Sequence, residues 1–286
     1  MKNKKEFINV KDSFLTKEKF SLFLNEKSQT LSTFPKPSLE ELPRYYDSTN
    51  YLSHKKAPSN LFSKIYFLSR RLMLFSKKKI ISSLFSKPGK IVDVGSGTGY
   101  FLKAIRKTGW TTVGIEPNFL ARNIAKKAKV THAKSLKELK GTKQDVITFW
   151  HSLEHVYFLE KTLSQAKEAL SKNGYLIIAC PNYTSWDAKH YKSDWAAWDV
   201  PRHLHHFSSV SLALILEPMG FVQIKKTPLL LDAFYISIVS EQNRSSRFSF
   251  LKGMVIGGIS NIIGLFRNNY SSHSYVFQKK TDLRAV

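Results

Sequence analysis

Lys90-Ile91-Val92-Asp93-Val94-Gly95-Ser96-Gly97-Thr98-Gly99 is a short apolar run that breaks into three glycines at alternate positions. An apolar run ended by glycines predicts a buried strand and a tight turn, and the pattern over 98–107 predicts a helix directly after it. The same succession recurs downstream. Residues 111–115 read as a strand closed by Glu116-Pro117, 118–127 as a helix, and 129–132 as a short third strand. Residues 145–150 and 175–180 read as apolar strands flanking a helix over 159–171, and 208–219 as a helix before a strand over 221–227. Apolar strands separated by helices predict an α/β chain whose parallel sheet is covered on both faces. Ligands of such sheets lie beyond the carboxyl ends of the strands. The turn after the first of these strands is therefore a candidate cradle. Glycines let the backbone approach a ligand, and the following helix offers free N–H groups.

On either side of this core the pattern changes. Residues 1–60 are polar and broken by Pro35, Pro37, Pro43 and Pro58, and are expected to form an N-terminal arm with one short helix near 17–25. Residues 61–85 carry apolar side chains at helical spacing among basic ones. Two apolar segments, 230–240 and 250–266, are expected as helices inserted before a last strand at 273–280. The uncharged run between Lys252 and Arg267 contains four glycines and falls short of the roughly 20 apolar residues of a spanning helix. A helix lying on a membrane surface is compatible with it.

Composition narrows the function classes. At 286 residues with 42% hydrophobic and 13% aromatic content, the chain can bury a sizeable core. The single cysteine, Cys180, excludes an internal disulfide framework and a multi-cysteine zinc site, and fits a reducing, cytoplasmic setting. No apolar secretory segment follows the basic start of the chain. A net charge of +24 favours anionic partners or an acidic membrane surface. The basic residues are scattered, however, as a merely solvated surface would also have them.

The glycine spacing then excludes two nucleotide readings. A dinucleotide fingerprint needs its third glycine at position 100, which is Tyr100, and a P-loop needs Gly-Lys-Ser/Thr. Glu116 ends the second strand of this region, where a carboxylate can accept both hydroxyls of a ribose. Asp93-x-Gly95-x-Gly97-x-Gly99 followed by that acid resembles the class I S-adenosylmethionine-dependent methyltransferases. The resemblance runs through 88–228, with 145–156 similar to their fourth strand and its turn, and is strongest to the ubiquinone-biosynthesis-type O-methyltransferase branch. It implies a Rossmann-like three-layer sandwich with a seven-stranded, mostly parallel sheet and an antiparallel last strand. It also implies that Asp93, Gly95, Ser96, Gly97 and Gly99 bind S-adenosyl-L-methionine, with Gly95 and Gly97 near its methionine half and Asp93 orienting that loop and the cofactor's amino group. Glu116 and Pro117 would lie at the ribose, and Trp150 and His151 would border the methyl-transfer pocket. Where many relatives place an adenine-binding acid, this chain has Ala133-Lys134-Ser135-Leu136, which leaves Ser135 or a backbone group for that contact.

Two histidine constellations follow. His151-Ser152-Leu153-Glu154-His155 spells an inverted zinc-protease motif, but zinc binding by it needs both histidines on one helical face. His151 directly ends a strand, so no metal is expected there. The stretch from Trp195 to Phe207 should border the acceptor site, with His203 and His206 as candidate bases and Asp199 or Arg202 orienting the base or holding an anionic acceptor. The same residues would otherwise serve to stabilise the loop. Tyr45-Tyr46 through His54 are expected to form a lid over the cofactor. The favoured function is methylation of an oxygen of a small molecule: a sugar, a quinone or a lipid-linked intermediate. The alternatives are an RNA methyltransferase, with Cys180 as a conceivable nucleophile, and a non-catalytic cofactor-binding module.

Overall fold

The computed structural model describes residues 4–46, 61–139 and 141–280. Its first elements correct the expected helical arm. The N-terminal segment is a meander of β1 (Lys4–Lys11), β2 (Lys19–Asn25) and β3 (Thr30–Phe34), all antiparallel. Residues 19–25 alternate, burying Phe20 and Leu22 on one face, so their period is two and not 3.6. Asx-type turns close both hairpins. Asp12 accepts the N–H groups of Phe14, Leu15 and Thr16, and Asn25 accepts those of Lys27 and Ser28. Of the expected lid, residues 47–54 lie outside the described residues.

After helix α1 (Leu61–Ser82) the chain builds its central sheet from β4 (Lys90–Val94), β5 (Thr111–Ile115), β6 (Thr131–Ala133), β7 (Gln144–Trp150) and β8 (Leu170–Pro181). The connecting helices are α2 (Tyr100–Arg106), α3 (Phe119–Lys127) and α4 (Leu159–Ala169). These five strands are parallel. Helix α5 (Trp186–Tyr191), the two-residue strand β9 (His205–His206) and α6 (Ser209–Leu216) lead to β10 (Phe221–Pro228). The inserted helices α7 (Leu230–Asn243) and α8 (Ser249–Arg267) precede β11 (Ser272–Lys279). The sheet order is β10-β11-β8-β7-β4-β5-β6, with β11 antiparallel to both neighbours. This is the expected seven-stranded, mostly parallel sheet.

Alternating side chains of the central strands fill the two sides. Val92, Ile147, Phe149, Leu176 and Ile178 enter one apolar cluster, and Ile91, Val146, Trp150, Ile177 and Ala179 enter the other. Cys180 is buried in the first, and burial pushes its thiol well above its usual range, as befits a small core residue.

The N-terminal meander is fastened to the loop between α5 and α6. β3 pairs with β9, and Thr33 donates from its hydroxyl to the His203 carbonyl at 2.6 Å. Arg202 reaches Asp12 at 2.8 Å and the Tyr45 carbonyl at 2.9 Å in a buried setting, and the half-buried Asp199 at 2.8 Å. Burial alone would raise the Asp12 pKa, but Arg202 and the turn N–H groups hold it at about 2. Removing one partner of such a pair leaves a buried charge. Arg202→Ala should therefore cost about 3–5 kcal/mol in a urea titration. The depressed carboxylate contributes stability that is present above pH 4 and lost as pH falls toward 2. That acid-sensitive component should shrink in Arg202→Ala; an unchanged acid transition would contradict the assigned pair.

Candidate functional site

The glycine turn lies at the carboxyl end of β4, held down by two backbone bonds, from Gly95 N–H (2.7 Å) and Ser96 N–H (3.1 Å) to the Ile115 carbonyl of β5. Gly95 has φ +75°, and a Cβ there would fall 2.4 Å from the Ser152 Cβ. Ser152, whose hydroxyl donates to the Val94 carbonyl at 2.5 Å, fills that space from the turn after β7. Gly97 differs. Its φ is +53°, but a Cβ on it would meet nothing within 4 Å among the described residues. The turn thus packs protein on one side and opens a concavity on the other.

Glu116 borders that concavity. Its carboxylate accepts the Gly97 N–H at 2.7 Å and the Asn118 N–H at 2.8 Å, which leaves lone pairs for hydroxyls of a ligand. Asp93 lies beneath the turn and accepts from the Thr148 hydroxyl at 2.7 Å. Burial raises its pKa to about 7, against the pull of Thr148 and Lys77. Ser96 Oγ and Trp150 Nε1 are buried without a hydrogen-bond partner among the described residues. Lys77 of α1 approaches from above, its ammonium 4.8 Å from the Trp150 ring centre. Open backbone, a ribose-competent carboxylate, a cation and orphan donors fit an amino-acid-bearing nucleoside such as S-adenosyl-L-methionine. Pro117 is exposed beside Glu116, and Arg122 braces this corner through the Glu116 and Pro117 carbonyls.

The turn after β7 carries the titratable groups. His151 sits at φ +52°, a strained conformation for a non-glycine residue, with its N–H on the Ala179 carbonyl at 2.9 Å. Its Nε2 is 3.1 Å from Asp232 of α7, and its Nδ1 is 3.7 Å from Glu154. Burial would lower its pKa; the two carboxylates outweigh this and raise it to about 10. Glu154 is fully buried, yet the surrounding histidines, His151 foremost, hold it at about 2 against burial. His155, next in sequence, is pushed down to about 4 by burial and by His203.

The loop from Trp195 to Phe207 approaches from the other side. His203 places its Nδ1 2.9 Å from the Ala197 carbonyl and its Nε2 3.8 Å from Asp199. His206 turns toward the N-terminal meander, with Nε2 3.1 Å from the Thr33 hydroxyl. Burial and the adjacent His203 push its pKa well down. The structure therefore gathers His151, Glu154, His155, His203 and Asp199, and ties His206 and Arg202 to the meander. Sequence reading missed Asp232 and Lys77, and named Glu154 only within the metal motif it set aside. Asp232 had a signal, as the lone acid in the apolar stretch 229–239. Lys77 had none within its basic run.

The profile of a family described as a methyltransferase domain matches residues 65–226. The chain belongs to that family. It is a class I methyltransferase whose methyl donor is S-adenosyl-L-methionine. Among solved structures, a SAM-dependent methyltransferase from Archaeoglobus fulgidus is 20% identical with a TM-score of 0.51, over 75% of this chain and 99% of that one. Magnesium protoporphyrin IX methyltransferase from Synechocystis PCC 6803, with bound SAH, is 14% identical with a TM-score of 0.57, over 85% of this chain and 100% of that one. At these identities the likeness is one of fold. No curated protein sequence matches the chain.

The two glycines separate by experiment. Gly95→Ala combines a left-handed backbone with a clash against Ser152 and should lose at least about 2 kcal/mol in denaturant titration. Gly97→Ala meets open space and should lose only about 1 kcal/mol. Equal losses would contradict the packing described.

Proposed function

We propose that the enzyme methylates a hydroxyl oxygen of a small, apolar or lipid-linked acceptor, with His151 as the base. The observation that carries this is the His151–Asp232 pair at the mouth of the cofactor cradle. When bound, S-adenosyl-L-methionine supplies an electrophilic methyl on a sulfonium. The turn from Gly95 to Gly99 and Asp93 would hold its methionine half, Lys77 would face its carboxylate, and Glu116 would take the ribose hydroxyls. Asp232 accepts the Nε2 proton of His151 and fixes the tautomer, so Nδ1 takes the acceptor's proton. The imidazolium that results is held by Asp232. An acceptor hydroxyl on an apolar body is also the chemistry of the ubiquinone-biosynthesis-type branch that the sequence resembles.

His151→Ala should lower kcat by about 10²–10⁴-fold while cofactor affinity stays within a few-fold. Because the proton affinity of His151 is raised, its neutral form gains as pH climbs toward about 10, and wild-type kcat should rise over that range. Asp232→Asn should move the rise to lower pH and reduce its plateau. A pH profile identical in Asp232→Asn and wild type would remove His151 from the role. The acceptor class is read by incubating the enzyme with methyl-labelled cofactor and separate lipid, RNA and small-metabolite fractions; label confined to RNA would overturn the oxygen-acceptor reading.

We further propose that the enzyme works at an anionic membrane surface, reached through α8. This 19-residue helix, of mean hydropathy 1.5, is long and apolar enough to cross a bilayer by length and composition. Its small residues Gly253, Gly257, Ser260 and Gly264 are buried, and a Cβ on Gly253 would lie 2.4 Å from the Ile238 Cα. The opposite face presents Leu251, Val255, Ile262, Leu265 and Phe266, the last 84% exposed. No Asp or Glu occurs between Glu241 and Asp282, whereas Arg244, Arg247, Lys252 and Arg267 lie in or beside the helix. An apolar face bordered by cations suits an anionic interface. The full chain should co-sediment with phosphatidylglycerol-containing vesicles and much less with neutral ones. Leu251→Asp with Leu265→Asp should weaken this at least tenfold. Equal recovery with both vesicle types, or no recovery, would defeat the proposal.

A further inference from the structure

The acid and histidines behind His151 form a cluster that the methyl-transfer reading leaves unused. Glu154, His155 and His203 each offer one ligand atom, all within 4.8 Å of one another. Glu154 is 1% exposed, and neither carboxylate oxygen has a hydrogen-bond partner among the described residues. A buried carboxylate without donors demands a cation close by. Its nearest basic nitrogen on its own turn, His151 Nδ1, stands 3.7 Å away, beyond hydrogen-bond distance, and the same ring is paired through Nε2 with Asp232.

The two imidazoles are oriented alike. His155 Nδ1 lies 3.0 Å from the Arg202 carbonyl, with the Tyr46 hydroxyl at 3.3 Å, and His203 Nδ1 lies 2.9 Å from the Ala197 carbonyl. A backbone carbonyl on Nδ1 keeps the proton there and leaves the Nε2 lone pair for a ligand. Metal-bound histidines are held in this way. The rings stand edge to face with centroids 4.6 Å apart. A cavity of about 10 Å³ opens against Glu154 and His203, room for a single particle the size of a water or an ion.

We propose that Glu154, His155 and His203 bind one divalent transition-metal ion, with zinc the best match to two imidazoles and a carboxylate. A fourth position remains for water or an acceptor oxygen. Zinc bonds of about 2.0–2.1 Å require the three side chains to draw together by roughly an ångström. Asp199, 3.8 Å from His203 Nε2, is placed to steady that ring or to add a ligand. The expectation of no metal rested on His151 and His155, which do not share a helical face. The third ligand comes instead from the loop after α5.

The test uses the full chain dialysed against chelator and titrated with Zn²⁺ by calorimetry. One equivalent should bind, and Zn²⁺ should raise the thermal midpoint. Glu154→Gln, which keeps the side-chain shape, and His203→Ala should each weaken binding at least tenfold and abolish the thermal shift. His190→Ala, outside the cluster, should match wild type. Co²⁺ in place of Zn²⁺ should give the visible spectrum of a nitrogen- and oxygen-ligated site, lost in Glu154→Gln. A folded, chelated protein that binds no stoichiometric Zn²⁺ overturns the proposal. So does wild-type affinity in Glu154→Gln, whatever the folding of His203→Ala. Neither outcome bears on His151.

Discussion

Ser152 occupies the space that a side chain on Gly95 would need, and this contact sets how closely two turns approach. One turn holds the cofactor cradle and the other carries His151, Glu154 and His155. Because the Ser152 hydroxyl also bonds the Val94 carbonyl, the turns are joined by packing and by a hydrogen bond. The glycine turn and the His151 turn are thereby kept in one frame. Preorganisation of this kind is what an in-line displacement needs from a protein.

The inserted helices extend that frame outward. α7 supplies Asp232 to His151, while α8 packs its small residues against α7 and turns its large apolar ones to the outside. A contact of α8 with a membrane would therefore lie one helix away from His151. The N-terminal meander acts on the opposite side. Through Arg202, Thr33 and β9 it fastens the loop that carries His203, so a segment remote in sequence shapes the surroundings of that histidine.

The parts of the fold legible in the sequence were those with local causes. The strand over 90–94, the turn at Gly95 to Gly99 and the helix capped by Asn118 stand within a residue or two of their expected bounds. The meander was misread because prolines and charges hid a period-two pattern that makes sense only once a second surface buries Phe20 and Leu22. Lys129 to His132 shifted for a local reason: Lys129 has positive φ and closes α3, so the strand starts at Thr131.

The sequence by itself determined the alternation of strands and helices, the glycine turn and, through the family resemblance that the glycine spacing and Glu116 carry, the methyl donor, because backbone conformation depends on short-range pattern. The partners of the histidines were settled by folding. Asp232 meets His151, and His203 meets Glu154 and His155, from segments tens of residues apart, and nothing in linear spacing encodes which nitrogen will face which oxygen. Those pairings arise where α7 and the Trp195 to Phe207 loop pack against the end of β7, a relation that exists only in three dimensions.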